Sequence, residues 1–203
     1  MAQQILSLKT DSAALRALAK EIKTSARRVE LSVPTALREA LARGKIAAED
    51  VANNYWNGIE SYVEKNTYTS RVTRRSLEGK IYQSGRKIEL HRFMSKEDML
   101  KQYYAGENVP AVRPPGVRVK VYRGQAATIY PGTFVQRMRS GFLSVFKRVG
   151  KTWNWPQRLP IKVQYANEDL NYPLLQNIAK FERYQSRVFE QEINLAFDKL
   201  FPE

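Results

Sequence analysis

Between Asn108 and Asn167 the chain contains neither Asp nor Glu, although it has 20 acidic residues among 203. The same window holds eleven cations: Arg113, Arg118, Lys120, Arg123, Arg137, Arg139, Lys147, Arg148, Lys151, Arg158 and Lys162. A stretch of one charge sign restricts its own packing, because like charges are tolerated only where water or an opposite charge screens them. Its interior alternates with a period of two. Phe134, Gln136 and Met138 fall on one side and Val135, Arg137 and Arg139 on the other. Beyond Ser140-Gly141, Phe142, Ser144 and Phe146 alternate with Leu143, Val145 and Lys147. Two alternating runs around a glycine-containing turn predict a β-hairpin. Pro131-Gly132 marks a turn at its entrance, since Pro presets one turn residue and Gly accepts the left-handed one.

The charge also sets the class of partner. A net charge of +14 and an isoelectric point near 10.0 imply something anionic. Nucleic acid is the first candidate and the acidic face of a neighbouring protein the second; a solvated basic surface is the plain alternative. Two further basic groups stand out. Tyr68 to Arg75 places Arg71, Arg74 and Arg75 close together, an array suited to bidentate contacts with phosphate or with a neighbour's carboxylates. Val117 to Tyr122 alternates Val117, Val119 and Val121 with Arg118, Lys120 and Tyr122, which predicts a half-buried strand with a basic outer face. The candidate contact residues are therefore Arg71, Arg74, Arg75, Arg118, Lys120, Arg137, Arg139, Lys147 and Arg148. Trp153 and Trp155, in the proline-bounded segment Thr152 to Pro160, join them: exposed tryptophans mark an interface, buried ones plug a sheet.

The remaining segments supply a frame. A 43% hydrophobic fraction is enough for a core, and 203 residues suit one continuous domain with a helical region at 1–70 and an α+β part at 71–203. Helices are predicted from Asp11 to Glu30, from Ser32 to a stop at Gly44, and from Ala47 or Ala48 to Lys65. Gly79 to Phe93 reads as a second hairpin turning at Ser84-Gly85. Ser95 caps a short helix reaching Tyr104, with Glu97 and Asp98 suited to its first turn. Pro110, Pro114 and Pro115 make 106–116 a loop, and Ile161 to Tyr165 is a last strand. Asn171 to Leu200 is the longest helix, apolar along Leu174, Ile178, Phe181, Val188 and Ile193, and it is expected to cover an antiparallel sheet. Glu182, Glu190, Glu192 and Asp198 gather there, which suits either head-to-tail packing of subunits or pairing within one chain. The fold class expected is α+β: N-terminal helices, a mainly antiparallel sheet, and a C-terminal helix packed on it.

Signatures of chemistry are missing from the sequence. It lacks cysteine, a phosphate-binding G-x-x-x-x-G-K-[ST] loop, a G-x-S-x-G elbow and an H-E-x-x-H pair. A metal-dependent nuclease gathers carboxylates, and the pair Glu168-Asp169 reads instead as a preference for the first turn of the helix that follows. His91 is the only histidine, placed on a strand, and a catalytic centre built around it is the remaining enzymatic alternative. No enzymatic activity, cofactor or metal is expected. The N-terminal MAQQILSLKT has no long apolar run, and no segment has the roughly 20 apolar residues of a membrane helix, so neither a signal peptide nor a membrane partner is expected.

The ordered features P-G-T-F-V-Q-R-M-R-S-G at Pro131 to Gly141, V-F-K-R-V-G-K at Val145 to Lys151, Leu159-Pro160-Ile161, and a long C-terminal helix resemble the minor tail protein Z family of tailed bacteriophages. The likeness covers about Arg71 to Leu200 and is clearest from Pro131 to Ile161. Members of that family are tail completion proteins. The resemblance implies a virion component, assembled in the host cytoplasm, at the head-proximal end of the tail or in the neck. It further implies a homo-oligomeric ring, hexameric to match a six-fold tail tube, contacting other tail and neck proteins and the DNA that passes through. A sequence-independent nucleic-acid-binding protein is the alternative.

Overall fold

The computed structural model describes residues 2–9, 26–73, 77–107, 116–148 and 161–200. Among these the fold is α+β, and it divides into two compact units. Unit 1 takes residues 1–52, 61–86 and 170–203; unit 2 takes 53–60 and 87–169. Residues 70 and 71, where the sequence suggests a division, both belong to unit 1.

In unit 1 the strand β1 (Ala2–Lys9) pairs antiparallel with β3 (Glu78–Ser84), and β3 pairs antiparallel with β2 (Thr67–Thr69). Gly79, Ile81 and Gln83 alternate inward along β3, and Tyr68 stacks on its cross-strand partner Tyr82. The long helix α1 (Ala26–Tyr55) replaces the two shorter helices expected on either side of Gly44. Pro34 lies well inside it rather than in a first turn. The reason is tertiary: Val33, Ala36, Leu37, Ala40, Leu41, Ala48 and Ala52 form one uninterrupted buried stripe, and packing along it overrides the local break signals. Gly44 is not a stop but a crossing point, since a Cβ there would lie 2.4 Å from the side-chain amide of Gln185. The helix expected over Asp11 to Glu30 lies mostly outside the described residues.

After α1 comes the short helix α2 (Glu60–Asn66), in place of a third helix continuous from Ala47; Gly58, at φ 68°, turns the chain between the two. The C-terminal helix is also broken, into α4 (Tyr172–Gln176) and α5 (Ile178–Leu200). At the break the side-chain amide of Asn177 donates to the Pro173 carbonyl at 2.9 Å, satisfying an acceptor at the end of α4. Leu174 and Phe181 join Leu37, Leu41, Val72 and Ile81 in the main core, so the C-terminal segment does pack on an antiparallel sheet, the one formed by β1, β3 and β2.

Unit 2 is organised around Trp56, which is fully buried. Its ring meets Tyr55 edge-on at 4.8 Å, stacks on Tyr122 at 5.7 Å, and lies 5.8 Å from Phe93. Backbone bonds from Asn57 to Val121 and from Arg123 to Tyr55, both 2.9 Å, lock the segment in place. The strand β4 (Lys87–Glu89) pairs with β10 (Tyr165–Asp169), not with β3, so the second expected hairpin does not form. Ser84-Gly85 links strands of different sheets; long-range pairing of β3 with β1 takes the edge a hairpin would have used. Leu90–Phe93 is a 3-10 turn rather than strand, because Leu90 and Phe93 are both buried and residues three apart eclipse in that geometry. Helix α3 (Lys96–Glu107) starts as expected: the Asp98 N–H donates to Ser95 Oγ at 3.0 Å. The proline-rich stretch 108–115 lies outside the described residues. Glu168 and Asp169 sit on β10, not in a helical first turn.

Candidate basic interface

The central hairpin forms with the expected turn. Strand β7 (Thr133–Arg137) pairs with β8 (Leu143–Arg148) in the register Thr133–Lys147, Val135–Val145 and Arg137–Leu143. β8 then pairs with β9 (Ile161–Val163), placing Lys147 directly opposite Lys162. Thr133, Val135, Leu143 and Val145 on this face are buried, so the cations do not coat the sheet. They stand at its two ends: Arg137 at the tip, Lys147 and Lys162 at the base.

The tip carries more than charge. The Met138 N–H donates to the Phe142 carbonyl at 2.8 Å, and Gly141, at φ 83°, closes the turn. Met138 is 42% exposed and Phe142 51% exposed, with exposed Arg137 and Arg139 beside them. At the base, Lys147 and Lys162 share a cleft of about 560 Å³ with Lys87 of β4 and with Tyr165. All three lysines are exposed, and no carboxylate among the described residues lies within ion-pairing distance of any of them.

The other candidates fall in three groups. Arg118 and Lys120 are exposed on β5 (Val117–Val119) and just beyond it, opposite the buried Val117, Val119 and Val121, as the alternation predicts. Gln102 of α3 holds the Arg118 backbone from both sides, donating to its carbonyl at 2.9 Å and accepting from its N–H at 3.0 Å. Arg71 is exposed in unit 1, on the rim of a cavity of about 520 Å³ shared with Arg38, Thr69, Ser70 and Thr73. Arg74, Arg75, Trp153 and Trp155 lie outside the described residues, and for Arg148 only the backbone, at the end of β8, is described. The charge of α5 also differs from the expectation: against its four acidic residues stand Lys180, Arg183, Arg187 and Lys199. One of its acids, Glu192, is held by Arg43 at 2.7 Å within unit 1.

Four titratable groups of unit 2, Tyr122, Glu168, His91 and Glu89, are used in packing. The Tyr122 hydroxyl donates to the Glu168 carboxylate. Burial first, and then that carboxylate, push the Tyr122 phenol well above its ordinary range, and burial likewise raises Tyr130. Ser144 Oγ lies 3.2 Å from His91 Nδ1, and Glu89 Oε2 lies 3.3 Å from the same nitrogen. A nucleophile–base–carboxylate relay needs the serine and the acid on opposite ring nitrogens, so this trio is not arranged as one. It works as a bracket that joins the 3-10 turn to β8, with the Phe142 and His91 rings perpendicular and their centroids 5.1 Å apart.

Burial lowers the His91 pKa from its usual value of 6.5, against the opposing pull of Glu89. The folded state therefore holds fewer protons than the unfolded chain just below pH 6.5, and stability is lost as the pH falls through that value towards the lower folded pKa. Urea midpoints across this range are expected to show an acid-side loss that shrinks in His91→Gln. An identical pH profile in the variant would contradict the assignment.

Lys87 and the cleft it completes are what sequence reasoning missed. Lys87 belongs to a run that reads locally as a hairpin, and nothing in its neighbours announces a strand partner at 165–169. No helix among the described residues is long and apolar enough to cross a membrane. The chain matches no protein-family model, no curated protein and no solved structure.

Proposed function

We propose that this chain is a structural component of a tailed-phage particle, a tail completion protein that assembles as a ring, six-membered, around the DNA path at the head-proximal end of the tail or in the neck. The observation that carries the reading is the hairpin tip, where Met138 and Phe142 are exposed between Arg137 and Arg139. Large apolar side chains beside arginine are the composition of contact hot spots. The tip is rigidly built, its turn closed by backbone bonds, so it is suited to fit a complementary surface on the next copy, a head-to-tail contact that closes into a ring. The role is geometric: no bond in a substrate is made or broken, and the family resemblance of the hairpin supplies the setting in the virion.

The test is complementation of particles that lack the protein. Without it, normal tails and full heads are expected that do not join, as seen by negative-stain microscopy. Wild-type protein restores joining, and Met138→Glu/Phe142→Glu does not. Intact, infectious virions without the protein would overturn the proposal. The unpaired cations favour a second reading, a sequence-independent nucleic-acid-binding protein. That reading requires tight DNA binding by the isolated monomer, falling steeply with salt, whereas the ring component binds weakly until it is assembled.

A further inference from the structure

We propose that the cleft formed by Lys87, Lys147, Lys162 and Tyr165 is a seat for the phosphodiester backbone of duplex DNA. Four strands build it: Lys87 opens β4, Lys147 lies on β8, Lys162 lies on β9 directly across from Lys147, and Tyr165 opens β10. Two ammonium groups on facing residues of adjacent strands repel each other, and the arrangement is stabilised when an anion sits between them. The nearest acidic candidates do not fill that role. Asp169 is the cross-strand neighbour of Lys87 yet lies beyond ion-pairing distance, Glu168 is taken by Tyr122, and Glu89 is turned to His91 and Arg92. Apart from Lys87, the residues that line the cleft lie in the carboxylate-free window.

The chemistry of the lining selects phosphate. Among the described residues the cleft has no arginine fork to match a planar carboxylate; it offers point charges on flexible stems, which suit phosphate oxygens. Tyr165 is 39% exposed, and its hydroxyl has no partner among the described residues, leaving it free to donate to a phosphate as tyrosines do along DNA backbones. A cleft of about 560 Å³ exceeds one phosphate group and admits a run of backbone. Contacts of this kind hold DNA in place without reading its sequence.

The identity of the ligand as DNA rests on the proposed place of the chain around the DNA path; the cleft itself is tested on the isolated full chain. Anisotropy of a labelled duplex of about 20 base pairs is followed between about 50 and about 200 mM NaCl. In Lys87→Ala/Lys147→Ala/Lys162→Ala, binding at the low-salt end is expected to weaken by at least about tenfold, and the slope of log K against log salt to shrink by about 2–3, the share of three phosphate contacts. Lys180→Ala/Arg183→Ala/Arg187→Ala removes the same charge from the exposed face of α5 and is expected to bind within about threefold of wild type. Matching far-UV circular dichroism shows that both variants fold. Equal losses in the two variants, no loss in the first, or no binding by wild type at low salt would each overturn the proposal. So would polyglutamate displacing DNA charge for charge, which would assign the cleft to an acidic polypeptide. Failure of the head–tail role is scored separately in particles and leaves the result for the cleft standing.

Discussion

Trp56→Ala is expected to lower the stability of unit 2 by about 3–5 kcal/mol, the usual cost of removing a fully buried large aromatic. Against the roughly 5–15 kcal/mol that holds a typical domain together, this is a large share. Three mechanisms add up. The indole is wholly shielded from water, so its transfer free energy is lost. Its contacts with Tyr55, Tyr122 and Phe93 vanish, and each aromatic pair is worth about 0.5–1.5 kcal/mol beyond area alone. The Tyr122 ring also loses the indole it stacks on, which loosens the hold on the hydroxyl that donates to Glu168. Trp56→Phe, which keeps an aromatic ring, is expected to cost less than half as much. The check is urea unfolding of all three proteins, and a loss below about 1 kcal/mol for the alanine variant would mean that the ring is not packed as described.

Gly44→Ala is expected to destabilise unit 1 by about 1–3 kcal/mol, a sign opposite to that of most glycine-to-alanine changes inside helices. In an ordinary helix interior the change gains about 0.5–1 kcal/mol, because alanine has less backbone entropy to lose. Here the new methyl would sit 2.4 Å from the amide of Gln185, and Gln185 is completely buried, so the amide must turn within a packed surround to make room. Among the described residues, both polar atoms of that amide already lack a hydrogen-bond partner. The decisive measurement is a double-mutant cycle. In a Gln185→Ala background the obstruction is gone, and Gly44→Ala should revert to its ordinary stabilising sign. If it costs the same in both backgrounds, the two helices do not cross at Gly44.

The features legible in the sequence are those set by near neighbours. Ser95 caps α3 because its hydroxyl needs only the N–H three residues ahead, and Val117, Val119 and Val121 turn inward because alternation is intrinsic to a strand. The β7–β8 hairpin follows from a glycine turn between two alternating runs. What stayed illegible depends on distant partners. β1 is a strand because β3 receives it, some seventy positions away, and its own residues carry only a weak alternation. Gly44 looks like a helix terminator until Gln185 is set against it. For the candidate site, Arg118, Lys120, Arg137, Arg139 and Lys147 are exposed as anticipated, but the chain does not reveal locally that the basic charge collects at the tip and base of one sheet, or that Lys87 joins the base.

The chain passes from one compact unit to the other and back, so that the second owns the short excursion 53–60 as well as 87–169. Anyone trimming this polypeptide to 87–169 alone would leave Trp56 behind and offer the remainder a hollow centre. The excursion behaves as a plug borrowed from an early part of the chain, and a nascent polypeptide emerging residue by residue must keep that indole waiting until Tyr122 has been made. Folding of the second unit is in this sense a late event that closes over an early residue.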